Sequence, residues 1–230
     1  MQKFIKWLDN YWYHYKWVTI IVAFFVITGA IMTFQYITRD KYDISVIYAG
    51  PFDPDANQTR NIETELSKIV TDDYNNDGKT NCQLNDFFLL TDEQIDEKSK
   101  QAEEQGEYYI PNKTELSNTQ QQFTNQVMAG QASICLLDPY WYELLKEQNA
   151  FVKISEIYPE NTLTLYDDYS VKLKDTVLWS SMAMADFPED TLVCFRNLST
   201  TTAFKGKKSA ENEYEFNKKC FINLLKLSEK

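Results

Sequence analysis

Trp17-Val-Thr-Ile-Ile-Val-Ala-Phe-Phe-Val-Ile-Thr-Gly-Ala-Ile-Met-Thr-Phe-Gln-Tyr-Ile-Thr38 settles the architecture: 22 residues without a charge, bounded by Lys16 and Arg39. As a helix it would be about 33 Å long, enough for a hydrocarbon core of about 30 Å. Eleven of its residues are Ile, Val or Phe, together worth about −3 to −7 kcal/mol on an insertion scale. A cleaved signal peptide has a shorter apolar part and a small-residue cleavage site, whereas Phe34-Gln-Tyr-Ile-Thr38 ends this one. A buried core helix of this length normally carries a polar stripe. The expectation is a retained transmembrane helix over 17–38, after a segment 1–16 and before one domain over 39–230.

The flanks give the orientation. Trp7, Tyr11, Trp12, Tyr13, Tyr15 and Trp17 crowd the amino side and Tyr36 the other, which suits amphipathic rings at the headgroup layer. Met1–Lys16 is expected as a short aromatic and basic helix lying in that layer, held by Lys3, Lys6 and Lys16. Those three lysines face Asp9 alone, whereas Arg39 and Lys41 are offset by Asp40 and Asp43. Positive charge stays cytoplasmic. The amino terminus is therefore expected inside, with the rest outside the cell membrane of a single-pass protein.

The outer part suits one domain with a real core. The first 39 residues carry a net +3, so the −11 of the chain leaves −14 on Asp40–Lys230. Such a domain repels nucleic acid and attracts cations. Its Tyr, Phe, Leu and Ile content argues for folding rather than acidic disorder. Cys82, Cys135, Cys194 and Cys220 are widely spaced with no Cys-x-x-Cys, which excludes a metal knuckle. Cys135 and Cys194 lie in apolar runs and read as buried strand residues. An exterior location leaves one or two disulfides open, with buried free thiols the expectation.

Tyr42–Ala49, ended by Gly50-Pro51, reads as a strand. Thr59–Val70 has helical spacing at Ile62, Leu66 and Ile69. Gln83–Leu90 is a second strand, Asp92–Gly106 a solvated helix or excursion, and Asn112–Asn118 a loop. Leu116–Met128 reads as a helix stopped by Gly130, and Ser133–Leu137 as a strand. Pro139 opens a helix over Tyr140–Gln148. Phe151–Ile157 and Thr162–Tyr166 look extended, Thr191–Arg196 is a strand and Glu211–Leu227 a closing helix. This order predicts an α/β sandwich with a mainly parallel or mixed sheet.

Tyr11-Trp-Tyr-His-Tyr-Lys16, Tyr42-Asp-Ile-Ser-Val-Ile-Tyr-Ala-Gly-Pro51 and Asp73-Tyr-Asn-Asn-Asp-Gly78 resemble an uncharacterised family of single-pass membrane proteins from clostridial-type Gram-positive bacteria, one with no activity to transfer. Phe123–Leu137 is similar to a segment of extracellular solute-binding proteins, where a helix ends at Gly and a strand leads to the ligand cleft. That likeness implies a reduced version of their fold, because those proteins usually need two lobes and more residues.

The sharpest chemical motif is Asp73-x-Asn75-x-Asp77-Gly78. Alternate oxygen ligands with Gly at the sixth position let a loop wrap round Ca²⁺. Asp73, Asn75 and Asp77 would give side-chain oxygens, Lys79 its carbonyl, and Asn81 a direct or water-borne contact. The twelfth position is Leu84, not Glu, and Asn76-Asp77-Gly78 is also plain turn chemistry. Tyr140, Trp141 and Tyr142 beside Asp138 would suit a sugar, amine or peptide ligand, or would simply pack into the core. Catalysis has little footing. The only histidine, His14, precedes the span, no Gly-rich phosphate loop occurs, and Asp167-Asp168 and Glu189-Asp190 are sequence neighbours that point apart. The expected function is non-enzymatic: a membrane-anchored binding or assembly protein, taking a small solute or peptide or serving a membrane complex. The alternative is a Ca²⁺-stabilised structural or adhesion module.

Overall fold

A computed structural model describes residues 2–38, 41–130, 132–160, 163–198 and 207–228. They fall into two compact units, Met1–Lys41 and Tyr42–Lys230. The first holds one helix, α1 (Gln2–Thr38). It runs without a break through Lys16, so the separate short helix expected over Met1–Lys16 is not formed. The sequence offers no stop signal there: neither Gly nor Pro interrupts residues 2–28. Thr33 donates to the Gly29 carbonyl at 2.8 Å, which satisfies its hydroxyl within the helix. Arg39, Asp40 and Thr162 lie outside the described residues, as do the side chains of Lys3, Lys6, Tyr36 and Leu227.

The second unit is α/β with one mixed sheet. Its strands are β1 (Ile44–Gly50), β2 (Cys82–Phe88), β3 (Ile134–Leu137), β4 (Ser170–Lys172) and β5 (Leu192–Phe195), in the order β2-β1-β3-β5-β4. β2, β1 and β3 are parallel; β5 runs antiparallel to β3 and to β4. Alternate residues of each central strand feed two cores. Val46, Tyr48, Ile134, Leu136, Val193 and Phe195 point into one, and Ile47, Ala49, Cys135, Leu137, Leu192 and Cys194 into the other. Burial on both faces explains why these strands read as continuous apolar runs.

Helices α2 (Ala56–Leu66) and α7 (Lys207–Ser228) cover the first face through Ile62, Leu66, Phe216, Phe221 and Leu224. Helices α4 (Lys113–Ala129) and α5 (Pro139–Glu147) cover the second through Phe123, Val127, Trp141, Tyr142 and Leu145. Helix α3 (Asp92–Glu104) buries nothing and is held at its start by a Thr91–Gln94 capping box. The β2 edge is sealed rather than open. The Cys82 N–H donates to Ser67 Oγ at 3.0 Å and the Leu84 N–H to Glu63 Oε1 at 3.0 Å, so side chains of α2 and of the turn that follows it occupy donors that another strand would use.

Three further sequence expectations need correction. Asn112–Asn118 is not a loop, because Asn112 caps α4 by accepting from the Glu115 N–H, and the helix starts at Lys113. Phe151–Ile157 is extended only at Phe151, which bridges to Arg196; Ile154–Ile157 is one helical turn, α6, that buries Ile154 and Ile157. Residues 163–166 form no strand: Leu163 and Leu165 pack against the first core from irregular backbone.

Candidate functional site

Helix α2, which follows β1, lies on one face of the sheet, and α5, which follows β3, on the other. In open α/β sheets the crevice outside the carboxyl ends of such a strand pair is where ligands bind. Here that crevice is filled. Asp138 follows β3, is 6% exposed, and accepts from the Tyr140 N–H at 2.9 Å through Oδ1 and from Gln94 Nε2 at 2.8 Å through Oδ2. Its carboxyl is raised above the ordinary range because burial, helped by Asp190, outweighs those two hydrogen bonds. Opposite, the Phe52 N–H donates to Tyr48 Oη at 3.0 Å, and the Tyr48, Phe52 and Phe187 rings stack edge to face. Gly50 permits this closure: a Cβ there would lie 2.7 Å from Tyr48 Oη and 3.3 Å from Asp138 Cβ.

The aromatic run after Asp138 does not converge on one cleft. Tyr140 is 53% exposed, whereas Trp141 is 5% and Tyr142 0% exposed. Trp141 packs against Phe123, and Tyr142 stacks on Phe151 at 5.2 Å. Two neighbouring helical positions thus turn into the second core while Tyr140 turns out. Tyr142 also carries a polar tip that sequence reading missed. Its hydroxyl donates to Asp167 at 2.7 Å, and Asp167 further accepts from Lys146 at 2.8 Å, Ser170 Oγ at 3.0 Å and the Tyr169 N–H at 2.9 Å. Burial pushes Asp167 up, but Lys146 and these donors win and hold it below the ordinary carboxylate range. Neighbouring Asp168 pairs instead with Lys153 at 2.8 Å, so the two carboxylates do point apart.

A cavity of about 430 Å³ opens beside the carboxyl end of β2, lined by Asp53, Asp86, Phe88, Tyr109, Ile110 and Glu115 among others. Burial and nearby Asp53 raise the Asp86 carboxyl. Ile110 in its lining is 86% exposed.

The Asp73–Asn81 loop is anchored by Asp43, a residue the sequence did not single out. Asp43 is 5% exposed and accepts from the backbone N–H groups of Tyr74, Asn75 and Asn81 at 2.8, 3.1 and 2.9 Å. Within the loop, Asp73 accepts from the Asp77 and Gly78 N–H groups, Asn75 from that of Asp77, and Asp77 from that of Lys79. Asn76 and Gly78 take left-handed backbone at φ 57° and 84°. Among the described residues no three His, Cys, Asp or Glu side chains gather as a ready metal cluster. The loop's own donor set is two carboxylates, an Asn amide and backbone carbonyls, the hard oxygens that Ca²⁺ takes. Asn81 Oδ1 is buried without a hydrogen-bond partner.

In α1, the 25-residue stretch Tyr11–Gln35 is long and apolar enough to cross a membrane, and none of it is buried within the protein. Trp7, Tyr11 and Tyr15 stack in a ladder along it, at 5.7 and 5.3 Å. Comparison of the chain with protein-family models, curated proteins and solved structures gives no match.

Proposed function

We propose that this chain is a single-pass, membrane-anchored binding or assembly protein without catalytic activity. α1 spans the cell membrane with its amino end cytoplasmic, and the acidic Tyr42–Lys230 unit stands outside. The observation that carries this is the exposure of α1: Phe24, Phe25, Val26 and Phe34 are each more than 60% exposed. Apolar surface on that scale needs a non-aqueous surrounding. Washing membranes with alkaline carbonate tests the anchor. The chain is expected to stay in the pellet and to leave only with detergent; release by carbonate alone overturns the reading.

The outer unit is the binding part. Its single sheet supports a partner-docking or accessory role in a membrane complex over a two-lobed solute trap, although a small solute or peptide at the carboxyl edge fits the reduced solute-binding likeness. The absence of catalysis rests on chemistry: Asp138 is spent on a helix cap, Asp167 and Asp168 on separate lysines, and His14 lies in α1. Co-purification from detergent with a second membrane protein is expected. Recovery of the chain alone after gentle solubilisation, with no solute shifting its melting, would count against it.

A second reading, a Ca²⁺-stabilised module, is favoured by one observation. Gly78, at the sixth loop position, already holds the left-handed turn that a wrapped Ca²⁺ loop needs. Asp73, Asn75, Asp77, the Lys79 carbonyl and Asn81 would hold the ion, which would order the loop against α7. Calorimetric titration of wild type and Asp77→Ala is the test: heat in the first only is expected, and equal heats rule the site out.

A further inference from the structure

Four cysteines spread over the chain are all buried thiols, and two of them are brought face to face. Cys135 on β3 and Cys194 on β5 are directly opposite in the antiparallel register, although 59 positions separate them. The Arg196 N–H donates to the Ser133 carbonyl at 2.8 Å, which makes 133 and 196 a hydrogen-bonded pair. Pairing alternates every residue, so 135 and 194 form the next hydrogen-bonded pair, with Cα atoms about 5.5 Å apart. Disulfides most often join Cα atoms about 5.5–6 Å apart, so the strand spacing suits one, and closure draws the Cβ atoms inward from about 5.5 Å to about 4 Å. Both side chains project from the same face into the second core, and each is 0% exposed. The Cys194 thiol donates to the Cys135 carbonyl oxygen at 3.7 Å, which places its sulfur against the opposite strand at residue 135.

A third group completes the arrangement. Arg196, two residues beyond Cys194, is 6% exposed. One guanidinium nitrogen donates to the Val127 carbonyl at the end of α4, while Nε is buried without a partner. Among the described residues no ion pair involves it. The neighbouring Cys194 thiol, and after it the Arg196 charge, favour the thiolate at Cys135 against burial, whereas burial pushes Cys194 up.

We propose that Cys135 and Cys194 close into a cross-strand disulfide, clamping the seam between the parallel β2-β1-β3 half of the sheet and the antiparallel β5-β4 half. In the cell this rests on the exterior placement proposed above, because cytoplasmic thiols stay reduced. The oxidant is a disulfide, either a small-molecule one or that of an exported thiol–disulfide oxidoreductase. One cysteine thiolate attacks it, forming a mixed disulfide and releasing one oxidant sulfur as thiolate. The other cysteine thiolate displaces the second oxidant sulfur. The two protons lost by the cysteines are taken up by the two released oxidant thiolates, two electrons reduce the oxidant disulfide to thiols, and one S–S bond forms between Cys135 and Cys194. Because both sulfurs are fully covered, exchange precedes the docking of α4 and α5 over this face. Cys82 on β2 and Cys220 on α7 sit near one another in the other core but face each other across no strand register, and burial raises both. They remain thiols and serve as internal controls.

The decisive experiment uses the full chain in detergent, reduced and unfolded, then refolded with glutathione disulfide, alkylated under denaturing conditions and mapped without reductant. The peptides carrying Cys135 and Cys194 are expected joined, with Cys82 and Cys220 alkylated. Four alkylated cysteines, or Cys135 or Cys194 joined to any other cysteine, overturn the proposal whatever the membrane orientation. The same mapping on protein trapped in intact cells reports the cellular state. A bond formed in refolding but absent from cells whose outer domain is surface-labelled overturns the cellular claim, while absence together with cytoplasmic labelling overturns the placement itself. In the oxidised protein, reductant is expected to lower the melting temperature by about 10 °C, and the double Cys135→Ser, Cys194→Ser variant is expected to lose that response.

Discussion

Replacing Asp138 with Ala asks whether this carboxylate is a structural cap or a ligand contact. Oδ1 receives the Tyr140 N–H at 2.9 Å and Oδ2 receives Gln94 Nε2 at 2.8 Å. Loss of the helix cap costs about 1 kcal/mol. Stranding the half-buried Gln94 amide costs about 1–3 kcal/mol more. Removing a carboxylate from a desolvated position returns part of this, which leaves a net loss of about 2–3 kcal/mol. For a unit of this size that is about 5–10 °C in melting temperature. Asp138→Asn keeps an oxygen for the Tyr140 N–H but sets its amide nitrogen against that of Gln94, so about half the loss is expected. Thermal and urea unfolding of the Tyr42–Lys230 fragment, followed by circular dichroism, measures both. Two variants as stable as wild type within about 0.5 kcal/mol would refute the structural role and free Asp138 to meet a ligand.

Double replacement of Glu63 and Ser67 by Ala strips the donors of Cys82 and Leu84 of their partners, so the β2 edge is expected to recruit a second strand; size-exclusion chromatography should show dimers or larger species, and a strictly monomeric variant contradicts the edge argument. Asp167→Asn is expected to cost about 2 kcal/mol at neutral pH by breaking the Lys146 pairing and weakening the Tyr142 and Ser170 hydrogen bonds. Because Asp167 is lowered in the fold, its stabilisation is complete above the ordinary carboxylate value of 3.8 and fades as pH falls through its lower folded value. Asp138 and Asp86, both raised, act oppositely: their stabilisation is present below 3.8 and lost as pH rises through their folded values. A wild-type acid limb below pH of about 4 that is steeper than that of the Asn variant, in urea titrations, is the expected result; identical limbs would remove Asp167 from the account.

Much of the fold was legible because both sheet faces are buried. β1, β3 and β5 are runs such as Ile134-Cys-Leu-Leu137 that few structures other than a central strand would accept. Pro139 and Gly130 marked helix ends by their fixed and left-handed backbones. The start of α4 was also written in the chain, since Asn112 precedes Glu115 by three residues, a pattern that caps a helix rather than continuing a loop. At Ile154–Ile157, β-branched residues argued for extension, and the burial of both isoleucines one turn apart overrode that propensity.

The site was less legible. Adjacent rings at 140–142 lie on different faces of α5, and the sequence does not say which face meets a core. Asp43 and Asp167 owe their roles to partners up to 38 and 25 positions away, a distance at which no local pattern reports pairing. Cys135 and Cys194 were readable as buried but not as opposed, because register depends on how the sheet is assembled.

The placement of the amino end of α1 and of the Tyr42–Lys230 unit on either side of the membrane is the most direct test of the whole account. Met182 is 92% exposed on the Tyr42–Lys230 unit, and Gln2 opens α1. Introduced singly as Met182→Cys and Gln2→Cys, they can be challenged in intact cells with a membrane-impermeant maleimide. Labelling of Met182→Cys in intact cells, with Gln2→Cys reacting only after permeabilisation, is the predicted result. Labelling of Gln2→Cys alone, or of neither until the cells are opened, would contradict an outward-facing domain on a membrane anchor.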